Sequence, residues 1–276
     1  MRATSTRDFG AGDVTLEELG PASDGAPDTR DALVDAAARD EGPAGSRVTG
    51  AQLLYLFDEG GGTTVKDHGS GAPLDLTIGT PGAVTWLPGA LKVSSSVIIS
   101  SATPPMKVFT PCTADDAVTL EAWVVPETLT PPTSTMPARI ASYGSNINSQ
   151  NVLLGQGGCS GTLEARYCGR MQLDEELRVE TAANAVQPSV LTHLALVYEN
   201  GTATLYFNGL AASAPKSGSG SLSAGWKPTE VFTLANENDG KRAWVGTLHL
   251  VALYCRALTA AEVLQNHAAG ADPELP

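Results

Sequence analysis

Aromatic residues make up only 5% of this 276-residue chain, and its 17 lysines and arginines are outnumbered by 30 acids, for a formal net charge of −13. Such a balance works against phosphate backbones and anionic lipid surfaces, so nucleic acid is not an expected partner. Apolar runs are short, LLYLF at 53–57 being typical. A spanning helix needs about 20 apolar residues, so no membrane insertion is expected. The opening stretch, MRATSTRDFGAGDVTLEELG, lacks the apolar segment of a secretory signal peptide.

Several chemistries are missing as well. Cys112, Cys159, Cys168 and Cys255 form no CxxC pair, which argues against a zinc ribbon. No G-x-S-x-G elbow is present. GQGGCSG at 155–161 has neither the lysine of a phosphate loop nor the spacing of a dinucleotide fingerprint. His68, His193, His249 and His267 are scattered without H-x-x-x-H spacing. His193 alternates with apolar residues and is expected to be a hydrogen-bonded structural histidine.

What the chain has in quantity is glycine (29), proline (18) and a 42% apolar fraction, a mixture that suits many strands joined by turns. Residues 1–46 differ, with ten acids against four arginines and little apolar content beyond ALVDAAA. They are expected to be a disordered acidic leader, with one short helix near 30–39. From residue 47 onward the pattern is β. AQLLYLF (51–57), PLDLTI (73–78), AVTW (83–86), SVIIS (96–100) and AVTLEAWVV (117–125) open a series of short strand candidates. RIASYG, NVLLG, TLEARYC, ELRVE, EVFTLAN and TLHLVALYC continue it, bounded by Gly, Pro, Asn or Ser.

YENGTATLYFNG at 198–209 carries Asn-Gly twice. Both residues tolerate the positive φ of tight hairpin turns, so LTHLALVY, TATLYFN and LAAS are expected to form a meander. Ala203, Leu205 and Phe207 would share one face, which a second sheet must cover. Only LTAAEVLQNHAAG looks helical, with a capping-box Thr259 and Glu262 and a stop at Gly270.

Four segments together resemble the laminin-G-like, concanavalin A-like jelly-roll family. They are LLYLFDEGGGTTVKDHGSGAPLDLTI, VTLEAWVVP, THLALVYENGTATLYFNG and WVGTLHLVALYCRALTAAEV, in the family's order. The resemblance implies an all-β, two-sheet antiparallel jelly-roll sandwich over 47–276, with a short C-terminal helix behind the leader. It also implies surface recognition, since the family holds many non-catalytic modules on secreted or cell-surface proteins. Fold alone does not settle function, because laminarinase-like enzymes share it.

The site candidates follow. Relatives commonly hold calcium near the position of Asp67, with help from the closing strand, where this chain has His249. DEGGGTTVKDHG offers Asp58, Glu59 and Asp67, and ANENDG offers Asn236, Glu237, Asn238 and Asp239. Asp67, Glu237 and Asp239 are the expected Ca2+ ligands; the other reading is that these residues only form turns. Cys159 and Cys168 enclose the stretch SGTLEARY, a spacing expected to close a small disulfide loop, two buried thiols being the alternative. The pairing of Cys112 and Cys255 is left open. The family's enzymes carry E-x-D-x-x-E on one strand, and that pattern is absent. The nearest match, DEELRVE, places Glu176, Arg178 and Glu180 on one strand face. An arginine between two glutamates works against a general acid. No catalytic residue is assigned. Trp123 is expected in the core, Trp226 as a cap, and YGSNINSQN (143–151) at a binding rim. The expected function is a non-catalytic, secreted or cell-surface module for a surface glycan or protein, the alternatives being a structural or assembly domain and, behind it, a divergent glycoside hydrolase using Glu176 and Glu180.

Overall fold

The computed structural model describes residues 46–134 and 137–271. The expected leader, up to residue 45, and its helix lie outside the described residues. The strands, in chain order, are β1 (Leu53–Tyr55), β2 (Thr64–Val65), β3 (Leu76–Ile78), β4 (Val84–Leu87), β5 (Ala90–Val93), β6 (Ile99–Ser101), β7 (Ala117–Pro126), β8 (Ala138–Asn146), β9 (Ser149–Gln156), β10 (Tyr167–Gln172), β11 (Glu176–Glu180), β12 (Thr192–Glu199), β13 (Thr202–Phe207), β14 (Leu210–Ala211), β15 (Lys216–Ser217), β16 (Phe232–Leu234) and β17 (Gly246–Tyr254). Among the described residues α1 (Met106–Asp115) and α2 (Leu222–Gly225) interrupt them and α3 (Ala260–Ala269) follows β17.

The strands form two antiparallel sheets. The first runs β14-β13-β12-β7-β17-β5-β4, with β1 added to β17 and β15 to β13. The second runs β11-β10-β9-β8-β16-β6-β3-β2. Their inner faces share one core, to which Leu120, Leu196, Leu205 and Leu253 contribute from the first sheet and Ile140, Leu154, Met171 and Val179 from the second. Burial on this scale, at about 25 cal/mol per Å2 of apolar surface, is what holds two such sheets face to face.

Local sequence explains the meander. Asn200 and Gly201 sit at φ 46° and 80°, and Asn208 and Gly209 at 49° and 79°. These pairs close two-residue hairpins in which Glu199 faces Thr202 and Phe207 faces Leu210. Ala203 and Leu205 enter the shared core while Tyr206 packs on the opposite side of the sheet. Helix α3 starts as expected: Glu262 N–H donates to Thr259 Oγ1 (3.2 Å) and Thr259 N–H donates to Glu262 Oε2 (2.7 Å).

Two differences stand out. Helix α1 was not expected, because MKVFTPCTAD follows two prolines and contains Pro111. Tertiary packing overrides that weak propensity: Val108 and Cys112, one turn apart, are both buried, and Cys112 is disulfide-bonded to Cys255 at the end of β17. In TLEARYC only the last two residues are strand; the preceding ones belong to a loop.

The outer face of the first sheet is closed. Trp123, Ala195, Val197, Leu250 and Ala252 point outward there and are covered by Leu258 and Val263. At the centre lies Glu121 of β7, fully buried. Arg47 Nη1 donates to Glu121 Oε1 (2.6 Å), His193 Nε2 to the same oxygen (2.9 Å), and Asn266 Nδ2 to Oε2 (2.8 Å). The segment before β1, strand β12 and helix α3 therefore converge on one carboxylate. His193 is the structural histidine expected, and Trp123 stacks on His267 of α3 at 5.5 Å.

Burial alone would raise the Glu121 pKa, but the charges and hydrogen bonds of Arg47 and His193 outweigh it and hold the group at about 2, below its ordinary 4.5. A lowered carboxylate pKa stabilises the fold above the unfolded value, and that stability is lost as pH falls through the folded one. Glu121→Gln is therefore expected to cost about 3–5 kcal/mol at neutral pH. It should also flatten the loss of stability between pH 4.5 and about 2, read from denaturant midpoints at a series of pH values.

Candidate functional site

The outer face of the second sheet is built differently. Alternation along β10 and β11 sends Tyr167, Met171, Leu177 and Val179 into the core. Cys168, Arg170, Glu176, Arg178 and Glu180 then face away from it. Register places Arg170 directly opposite Arg178, an arrangement of like charges that costs stability unless something bridges them. Glu176 does so. Arg170 Nη1 lies 3.3 Å from Glu176 Oε2, and Arg178 Nε donates to Oε1.

A second network lies beside the first. Arg139 of β8 donates through Nε (3.1 Å) and Nη2 (2.6 Å) to Glu237 Oε1, and Arg242 Nη1 donates to Glu237 Oε2 (2.7 Å). Gln150 joins the networks: Arg139 Nη2 donates to its Oε1 (3.1 Å) and its Nε2 donates to Glu176 (3.0 Å). Burial pulls the Arg139 pKa down to about 10, with Glu237 opposing the fall. Burial likewise lowers that of Arg170.

These networks floor an open cavity of about 560 Å3, within the roughly 300–1,000 Å3 usual for small-molecule sites. Ile147 and Asn148, at the β8–β9 turn, form one side. Cys159, Ser160 and Gly161, in the loop between β9 and β10, form another, Ser134 of the segment between β7 and β8 adds to the wall, and Arg170, Glu176, Arg178 and Arg242 line the floor. The loop is anchored by the Cys159–Cys168 disulfide, whose sulfurs pack on Leu153. It is also tied by Arg170 Nη2, which donates to the Cys159 carbonyl, and by Cys159 N–H, which donates to Glu180.

The candidate residues named from sequence fall in several places. The expected rim at 143–151 does line the cavity through Ile147 and Asn148. Cys159 and Cys168 are bonded to each other. Trp226 is a buried cap, edge-on to Tyr143 at 5.4 Å. Glu176 and Glu180 share a face, but their carboxylates turn to different partners, Glu180 to Arg166 at 2.9 Å. Four strand residues separate their backbones by about 13 Å, well beyond the roughly 5 Å of a retaining pair.

The structure does not bring Asp67, Glu237 and Asp239 together, which corrects the expected calcium set. Asp67 Oδ1 accepts from the backbone N–H of Leu54 (3.1 Å) and Gly69 (2.7 Å). Its Oδ2 accepts from Leu74 N–H (2.8 Å) and from Lys107 Nζ (2.5 Å). An ammonium thus sits where a cation would go. Glu237 lies between two arginines, and Asp239 pairs with Lys241 at 3.0 Å. These three carboxylates do not fit the six to eight oxygens that calcium takes. Asp58, Glu59 and His68 instead group within 4.8 Å of one another. His249 lies on β17, the closing strand.

The arginine face was missed because its members come from distant segments. The available signal was the alternation Glu-x-Arg-x-Glu at 176–180 together with Arg170 at an outward position.

The sequence pattern described as the concanavalin A-like lectin/glucanases superfamily matches residues 100–264, more than half of the chain. The chain belongs to that superfamily. No curated protein sequence matches it. Solved structures share its fold at low identity. Trypanosoma rangeli sialidase in complex with sialic acid is 14% identical with a TM-score of 0.57, over 79% of this chain and 32% of that one. The binding domain of botulinum neurotoxin serotype D/C is 12% identical with a TM-score of 0.55, over 79% and 51%. Domain 4 of a GH43 extracellular arabinanase from Geobacillus stearothermophilus, in complex with arabinotriose, is 15% identical with a TM-score of 0.51, over 79% and 98%. This chain therefore spans about a third of the sialidase and half of the toxin domain.

Replacing Cys159 and Cys168 by alanine is expected to lower stability by about 2–3 kcal/mol. Hydrogen exchange should quicken across residues 157–166 while the β8–β9 hairpin keeps its protection.

Proposed function

We propose that this protein is a non-catalytic module that binds carbohydrate in the cavity on the outer face of its second sheet. The observation that carries the reading is that cavity. It is walled by loop residues, floored by hydrogen-bonding side chains, and placed on the sheet face that α3 leaves uncovered. The sialidase and arabinanase-domain structures of like fold contain sialic acid and arabinotriose, which supports a sugar ligand. The two disulfides suit an oxidising compartment, and so a secreted or cell-surface setting.

A non-catalytic role is supported by the state of the carboxylates. Glycoside hydrolysis needs an acid and a base or nucleophile flanking one bond. On this face Glu176, Glu180 and Glu237 are each engaged with arginines, which favours the ionised form and works against a general acid. A protein ligand is the second reading, favoured by the exposed Ile147 and Leu163 on the loops around the cavity.

Ser160→Trp would fill the cavity from an exposed loop position without entering the core. On a glycan array the parent protein is expected to retain a defined set of sugars. The Ser160→Trp variant should lose them by about tenfold or more, at unchanged thermal stability. A blank array with a protein captured from envelope extract would replace the sugar reading with the second one.

A further inference from the structure

We infer that the cavity selects anionic sugars, with the carboxylate of a uronic or nonulosonic acid held by Arg170, Arg178 and Arg242. The inference rests on the reading of this face as a carbohydrate site and gives that site its ligand class.

Charge comes first. The chain is strongly acidic, with 30 acids against 17 bases, yet three arginines and a single glutamate line the cavity. Behind them Arg139 adds a fourth guanidinium and Glu237 a second carboxylate, so four guanidiniums share two carboxylates. With Glu180 of the same face paired to Arg166, the two networks keep an excess of positive charge inside an otherwise negative molecule, which focuses the field on an incoming anion.

Placement comes second. Arg170 and Arg242 are 4% and 3% exposed, so their charges are largely out of bulk water. Their Nε atoms find no acceptor among the described residues. Arg170 and Arg178 stand directly across the ladder from each other, a repulsion that Glu176 relieves only in part because it must serve both. A second carboxylate docking between them would relieve the remainder. Guanidinium groups suit that role, since their planar forks match the two oxygens of a carboxylate.

The third observation concerns what the cavity does not offer. Among its described lining residues none is aromatic, and Ile147 is the large apolar one. Neutral sugar rings are commonly gripped by aromatic faces. Here the attraction available is charge and hydrogen bonding, which a neutral sugar exploits least.

Matched probes test this. Binding of tetragalacturonate is compared with galactotetraose, and of sialyllactose with lactose, by calorimetry on the whole chain. The acidic member of at least one pair is expected to bind about tenfold or more tightly, and its affinity should fall as salt rises from about 0.05 to about 0.5 M. Arg178 has a side chain 45% exposed, so Arg178→Gln leaves the core alone. It is expected to weaken the acidic probe by about tenfold and the neutral one by no more than about twofold, with Arg178→Lys restoring part of the loss.

Equal affinity for acidic and neutral members, unaltered by Arg178→Gln, would overturn the inference while leaving carbohydrate binding intact. A polyglutamate peptide competing as well as the acidic sugar would overturn it as well, reducing the face to a general anion patch. If no sugar of either kind binds, both the inference and the carbohydrate reading fall.

Discussion

Everything above the sandwich core depends on how the buried carboxylate of Glu121 is satisfied. An isolated charge inside a protein is not tolerated, so it must collect partners from wherever the chain can supply them. Here they come from the segment before β1, from β12 and from α3. Those bonds bring the two ends of the domain over one sheet. Val48 N–H donates to Asn266 Oδ1 (2.8 Å), Gln265 to the Ser46 carbonyl (2.9 Å) and Arg47 to that of Gly270 (3.1 Å). Under this cover an apolar cluster forms on the outer face of the first sheet.

The second sheet buries its inner side chains in the same core, but outward it carries arginines and glutamates in place of apolar groups. Buried ion pairs of this kind often contribute little net stability compared with apolar packing. What they do contribute is fixed geometry. Glu237 locks Arg139 and Arg242, and Glu176 with Gln150 locks Arg170 and Arg178. Guanidinium groups held in this way have little conformational freedom left to lose.

The loops complete the division of labour. The sheet supplies rigid charges, while the β8–β9 turn and the disulfide-anchored loop after β9 supply walls. The other disulfide, Cys112–Cys255, works at a distance from the cavity. It ties α1, whose own sequence favours a helix poorly, to the end of the closing strand.

Local chemistry was legible in the sequence. Asn200-Gly201 and Asn208-Gly209 demand positive φ, Thr259 and Glu262 cap a helix, and alternation along 203–207 assigns inside and outside. Each depends on residues within a few positions of one another, so the sequence by itself determined a two-sheet sandwich with a terminal helix. Helix α1, the assembly of Arg139, Arg170, Arg178 and Arg242, and the separation of Asp67 from Glu237 and Asp239 were decided only in three dimensions. The reason is physical: side chains from β8, β10, β11 and the segment before β17 become neighbours only through strand register and sheet order. Both are set by the hydrophobic packing of the whole domain, and no short window of sequence contains them.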